Sequence, residues 1–168
     1  MDINALPRFE PIEKMTYIDD GVQGLVYRLT DRWCVKICHG FGDLSELLLE
    51  AEINQELYGK GISVPEPRGM FKFSTSTIPD LPNSLNRKKF VPGFVREFVD
   101  GLLYGVIPVS LLGEAREKCS QELDKARGLG FMPSGDSHYA GNNVLYEVRG
   151  NSLERAVLID FGFWWMRK

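Results

Sequence analysis

The sequence predicts an α+β fold built on an antiparallel sheet, and three features of its pattern carry that prediction. The first is a β-meander in the N-terminal quarter. Short apolar runs from Lys14 to Ile18, Leu25 to Leu29 and Arg32 to Cys38 are separated by a turn containing Gly21 and Gly24 and by Thr30-Asp31. The second is a pair of helical patterns, LSELLLEAEINQELYG and a stretch from about Ser110 to Arg127. The third is a hairpin whose strands, Val144 to Val148 and Ala156 to Ile159, flank a turn on Gly150-Asn151.

In chain order, residues 1–13 hold two prolines and mixed polarity and read as an irregular arm. After the meander, Asp43 can cap the first helix, with Glu46 completing a capping box, and Gly59 or Gly61 ends it. Arg68 to Phe73 is a fourth strand. Residues 74–92 are polar, carry three prolines and read as a long loop, in which Arg87-Lys88-Lys89 is a solvated basic run. Gly93 to Val99 is a fifth strand. In the second helix Ser110 is the candidate cap, and Leu112, Ala115, Cys119, Leu123 and Ala126 form a core stripe. Gly128-Leu129-Gly130 ends it.

Composition narrows the function classes. An apolar content of 43% and a charged content of 26% are ordinary for a globular protein with a real core. A net charge of −3 argues against a nucleic-acid binder held by a broad basic surface. The three cysteines, Cys34, Cys38 and Cys119, lack paired metal spacing and are expected to be reduced. No apolar run reaches the ~20 residues that span a bilayer, and no charged-then-apolar leader opens the chain. The expected location is the cytoplasm, or a host cell's cytosol if the protein is delivered there.

The chemistry concentrates between Gly135 and Gly162. Asp136 lies in a polar loop, an amide at Asn142 or Asn143 precedes the first hairpin strand, and Asp160 ends the second. Two hard oxygen donors suit Mg²⁺, which takes its remaining ligands from water and phosphate. Upstream, alternation in Trp33-Cys34-Val35-Lys36-Ile37 puts Lys36 on the face opposite Trp33, Val35 and Ile37. A lysine there is either a snorkelling edge residue or one that needs a carboxylate, because burying it unpaired is costly.

Taken in order, these stretches resemble the protein kinase-like superfamily. Asp160-Phe161-Gly162 looks like its DFG motif, and Gly135-Asp136-Ser137-His138 with Asn142-Asn143-Val144-Leu145 looks like the catalytic loop of the atypical and antibiotic-modifying branches. IDDGVQGLVY resembles the Gly-rich loop, with Gly21 and Gly24 as its second and third glycines and Val26 as the residue that packs on adenine. Read without the resemblance, it is an ordinary hairpin turn. Trp33 to Ile37 resembles the VAIK strand. Glu50-Ala51-x-Ile53-x-x-x-Leu57 matches the pattern of the helix that supplies the lysine's partner, and Glu50 lies on the core stripe two turns before Leu57. Glu46 is the runner-up, while Glu52 and Glu56 fit a solvated face. Gly61-Ile62-Ser63-Val64-Pro65 resembles the link found in aminoglycoside phosphotransferases, and Glu97-Phe98-Val99-Asp100-Gly101 resembles the hinge.

The resemblance implies a bilobal α+β fold. Residues 1–101 would form an N-lobe with a five-stranded antiparallel sheet and one helix, and 102–168 a strongly reduced C-lobe. It implies ATP and Mg²⁺ as cofactors. Asp136, Lys36 and Glu50 would be the catalytic group. Gly21, Gly24, Val26, Lys36, Glu97 and Val99 would hold the nucleotide, and Asn143 with Asp160 the metal, with Asn142 as the alternative amide. Asp19 replaces the first loop glycine, and Ser134-Gly135 stand where a His or Arg normally precedes the catalytic Asp. His138 reads as a stabiliser of its loop. Neither an activation segment nor further helices follow Gly162.

The leading expectation is therefore a minimal Ser/Thr protein kinase acting on a protein client. A non-catalytic pseudokinase working through a partner and a small-molecule phosphotransferase are the alternatives. No nucleic acid and no membrane are expected. Trp164, Trp165 and Met166 either finish the core or offer a face to a partner or a second copy.

Overall fold

The computed structural model describes residues 2–11, 14–21, 24–38, 44–133, 143–162 and 164–166. Its contacts divide the chain into two compact units. One comprises Met1–Glu52 and Pro67–Phe98, and the other Ile53–Glu66 and Val99–Lys168. The sequence suggests a division after Gly101; the contacts also group Ile53–Glu66, which follows the middle of the first helix, with the C-terminal half.

The first unit is organised by five antiparallel strands: β1 (Thr16–Gly21), β2 (Gly24–Arg28), β3 (Trp33–Cys38), β4 (Pro67–Ser74) and β5 (Phe90–Glu97). Their order is β1-β2-β3-β5-β4, so β3 is the central strand. Alternation sorts the side chains. Leu25, Tyr27, Val35, Ile37, Phe73 and Val95 point to one face and join its main apolar cluster. The opposite face packs Cys38 and Phe94 against Leu47 and Ala51 of helix α1 (Leu44–Gly59). Gly93 has a packing reason to be glycine: a Cβ there would lie 2.5 Å from Val35 Cγ2 and 2.9 Å from the Phe73 ring.

Two segments that read as irregular in the sequence cover the first face. Residues 75–89 contain a 3₁₀ turn, Thr75–Thr77, and the one-turn helix α2 (Asn83–Asn86), and they sink Ile78, Leu81 and Leu85 into the cluster. The long polar loop is thus pinned by three buried side chains at intervals of three and four residues. The N-terminal arm makes a 3₁₀ turn, Ile3–Ala5, then lies along β4. Lys72 N–H donates to Pro7 C=O (2.9 Å) and Phe9 N–H to Lys72 C=O (3.0 Å), while the Phe9 ring packs on Phe71 and Phe73. An otherwise bare sheet edge is covered in this way.

The second unit is built on helix α3 (Leu112–Gly128) and a hairpin of β7 (Val144–Arg149) and β8 (Ser152–Leu158). Ala115, Cys119, Leu123 and Ala126 are buried along α3, as their spacing predicts. Ser110 is not the cap: it lies in a 3₁₀ turn, Val109–Leu111, and the helix starts after Leu111 without a side-chain cap bond. The hairpin turns on Gly150-Asn151, with Gly150 at φ 61° as a two-residue turn of type II′ requires. Arg155 grips Glu147 across it through two bonds, 2.5 and 3.2 Å. Leu102 exchanges two backbone bonds with Tyr146, both 2.9 Å. A small sheet of β6 (Phe131–Pro133) and β9 (Trp164–Met166) completes the unit.

Candidate functional site

In the first unit the site begins with Lys36. Central placement on β3 buries it to 5% exposure, so it is not a snorkelling edge lysine. Its partner is Glu50, which is 1% exposed on α1; Lys36 Nζ donates to Glu50 Oε2 at 2.6 Å. Glu50 reaches inward because Leu47, Glu50, Ile53, Asn54 and Leu57 form the buried stripe of α1, whereas Glu46, Glu52 and Glu56 are exposed. The expected choice among four glutamates is therefore the one that the fold pairs with Lys36.

The other oxygen of Glu50 is also occupied. Arg96 Nη1 on β5 donates to Glu50 Oε1 at 3.0 Å, and Arg96 is itself 6% exposed. Sequence reasoning missed this residue. Its signal was available: an arginine inside the apolar run GFVREFV requires a counter-charge if its strand is central. Removing one partner of such a buried cluster typically costs ~3–5 kcal/mol, because the remaining charge is left uncompensated.

Val26 pairs with Lys36 across β2 and β3, and Lys36 with Phe94 across β3 and β5, so the three share one row on one face. Val26 is half-buried beside the lysine. Gly21 and Gly24 face each other where β1 meets β2. Gly24 carries an independent structural demand, since a Cβ there would collide with the Ile37 carbonyl oxygen. At the other end of β5, Glu97 is half-buried opposite Trp33, and its carbonyl accepts from the Cys34 thiol at 3.5 Å. Burial pushes the Cys34 thiol up, and the neighbouring Arg96 only partly offsets this.

In the second unit the hairpin ends tie Asn143 to Ile159, the residue before Asp160, through the backbone. Ile159 N–H donates to Asn143 C=O at 2.8 Å, and Leu158 N–H to Ser63 C=O at 2.9 Å. Ser63 is in turn fixed by its N–H to Glu122 Oε2 (2.8 Å), and Asn54 Nδ2 holds Pro65 C=O (3.1 Å). Asp160 then leaves the strand with φ 61°. That left-handed conformation costs a β-carbon residue ~1–2 kcal/mol, and aspartate is among the residues that tolerate it best. Beyond it Phe161 is fully buried, its ring 5.3 Å from that of Trp164, and its carbonyl accepts from Trp164 N–H at 3.0 Å. Trp164 is 3% exposed and sits in the core. Val99 is buried in this unit.

Asp136, His138 and Asn142 lie outside the described residues, as do Asp43 and the side chain of Trp165. Among the described residues no three His, Cys, Asp or Glu gather into a metal cage. Asn143 and Asp160 offer one amide and one carboxylate, oxygen donors of the kind Mg²⁺ takes, and that ion needs few protein ligands.

No family model matches the sequence, nor does any curated protein. Solved structures do match in shape. The Rio2 kinase of Chaetomium thermophilum, solved as an ADP/Mg²⁺-phosphoaspartate complex, aligns with 90% of this chain at a TM-score of 0.59 and 13% identity. This chain spans about half of that one, 49% of its length. The structure of APH(2")-IIia with GDP and kanamycin aligns with 92% of this chain and 69% of its own, at a TM-score of 0.50 and 13% identity. With the five-stranded sheet and the buried Lys36–Glu50 pair in place, these likenesses show that the chain has the protein kinase-like fold.

Proposed function

We propose that the protein is an ATP- and Mg²⁺-dependent phosphotransferase that moves the γ-phosphoryl group of ATP to a serine or threonine hydroxyl of a client protein. The observation that carries the reading is the buried Lys36–Glu50 ion pair on the central strand. A core that needed only volume would use an apolar residue there, since buried charges add little net stability.

Each group then has a task. Lys36 binds the α- and β-phosphates, oriented by Glu50. Gly21 and Gly24 offer backbone N–H groups, Val26 packs on the adenine, and the backbone from Glu97 to Val99 holds its edge. Asn143 and Asp160 hold Mg²⁺, which when bound neutralises charge on the phosphates. Asp136 takes the proton of the attacking hydroxyl. The hydroxyl oxygen bonds to the γ-phosphorus, the bond from that phosphorus to the bridging oxygen breaks, and ADP leaves. Positioning and charge stabilisation supply most of the rate.

The test is transfer from γ-labelled ATP, to the protein itself or to added protein acceptors. Wild type is expected to incorporate label, while Lys36→Met and Asp160→Asn do not. Equal incorporation in all three proteins would defeat the assignment. Nucleotide binding without any transfer would favour a non-catalytic module.

A further inference from the structure

We infer that Arg96 is a positioning residue for this site: it fixes the Glu50 carboxylate in the orientation that receives Lys36. The functional consequence rests on the phosphotransferase reading above; the geometry does not. Arg96 pairs with Cys34, and Lys36 with Phe94, so the two cations are diagonal neighbours on adjacent strands of one sheet face. Glu50 reaches both from α1, giving one oxygen to each, at 2.6 Å for Lys36 and 3.0 Å for Arg96.

A carboxylate held by a single lysine can rotate about its last torsion, because an ammonium is a point charge with rotatable donors. A guanidinium is planar, with its donors in a fixed fork, so a second bond from Arg96 removes that freedom. Arg96 is itself confined, with its guanidinium carbon 6.0 Å from the centroid of the Phe94 ring and the Cys34 thiol beside it. The helix is thereby tied to two strands through one side chain.

The test combines Arg96→Met, which keeps the apolar stem, with Arg96→Lys, Glu50→Gln and the Arg96→Met/Glu50→Gln double variant. MgATP affinity is read by calorimetry. Arg96→Met is expected to weaken binding about tenfold and Arg96→Lys to recover part of it, while the Arg96 substitution has little further effect once Glu50 is Gln. A purely structural arginine would lower the melting temperature and leave affinity within about twofold of wild type, or add independently of Glu50; either result overturns the inference.

A second readout needs no nucleotide. The NMR signal of the Lys36 ε-methylene, assigned with Lys36→Met, should move in Arg96→Met in the same direction as in Glu50→Gln. An unmoved signal overturns the inference even if the phosphotransferase reading stands. Failure of wild type to bind MgATP would remove that reading and leave the Lys36 signal to decide the role of Arg96.

Discussion

Gly24 shows how one residue can answer to two demands. Its place in a loop that resembles a phosphate cradle gives it a ligand-facing reason, and the Ile37 carbonyl beside it gives a packing reason. Gly24→Ala should therefore lower stability in urea unfolding by about 1–3 kcal/mol with no nucleotide present. Unchanged stability would leave phosphate approach as the only reason for the glycine. Cys34 and Cys119 are both buried, and burial raises both thiols. Because the thiolate is the reactive form, their reaction with a disulfide reagent should start only at higher pH than for a free cysteine, and should be slow at neutral pH until denaturant is added. Fast native reaction of all three thiols would contradict the burial. Glu50 was legible because it matches the family pattern and lies on the core stripe of its helix, whereas alternation alone left Lys36 either an edge lysine or a paired one, and only the resemblance of its strand pointed to the pair. Arg96 breaks its strand's pattern, but its partner lies on a helix 46 residues away. Nothing in strand alternation points across that distance.

Among the elements, α1 was legible from its stripe, and the hairpin from its turn residues. The covering segment 75–89 was not. Its polar composition and prolines describe a loop, and only the fold shows that Ile78, Leu81 and Leu85 are anchors. Leu85→Ala should cost ~2–4 kcal/mol in denaturant unfolding, the figure for a buried core leucine. A loss under about 1 kcal/mol would mean that the segment is a surface loop after all. The strands β6 and β9 were missed for a different reason. Three residues each are too few to show a period, and their pairing joins positions far apart in sequence. Asp160 is presented by this part of the chain: a strand tied to Ser63 and Asn143, then a left-handed residue, then a buried phenylalanine. Asparagine tolerates that backbone as well as aspartate does, so Asp160→Asn should melt within a few degrees of wild type while losing Mg²⁺-dependent binding. A large fall in melting temperature would show that the carboxylate is needed for folding.

At the scale of the whole molecule, the order of the motifs predicted the fold better than any one motif did. The lysine fell on a strand and the glutamate on a helix, Gly21 and Gly24 close the ends of β1 and β2, the hinge-like stretch begins at the end of β5, and Asp160-Phe161-Gly162 follows β8. The solved structures that resemble the chain share its fold at 13% identity. At that distance fold is retained while substrate is free to differ, so the activity has to be tested at the site itself. The most direct measurement is calorimetric titration of MgATP into the purified protein, beside Lys36→Met and Asp160→Asn and with Mg²⁺ replaced by chelator. The account predicts saturable binding by wild type that is lost without Mg²⁺ and strongly weakened in both variants. Absence of binding at millimolar MgATP, or equal affinity in all three proteins, would contradict it.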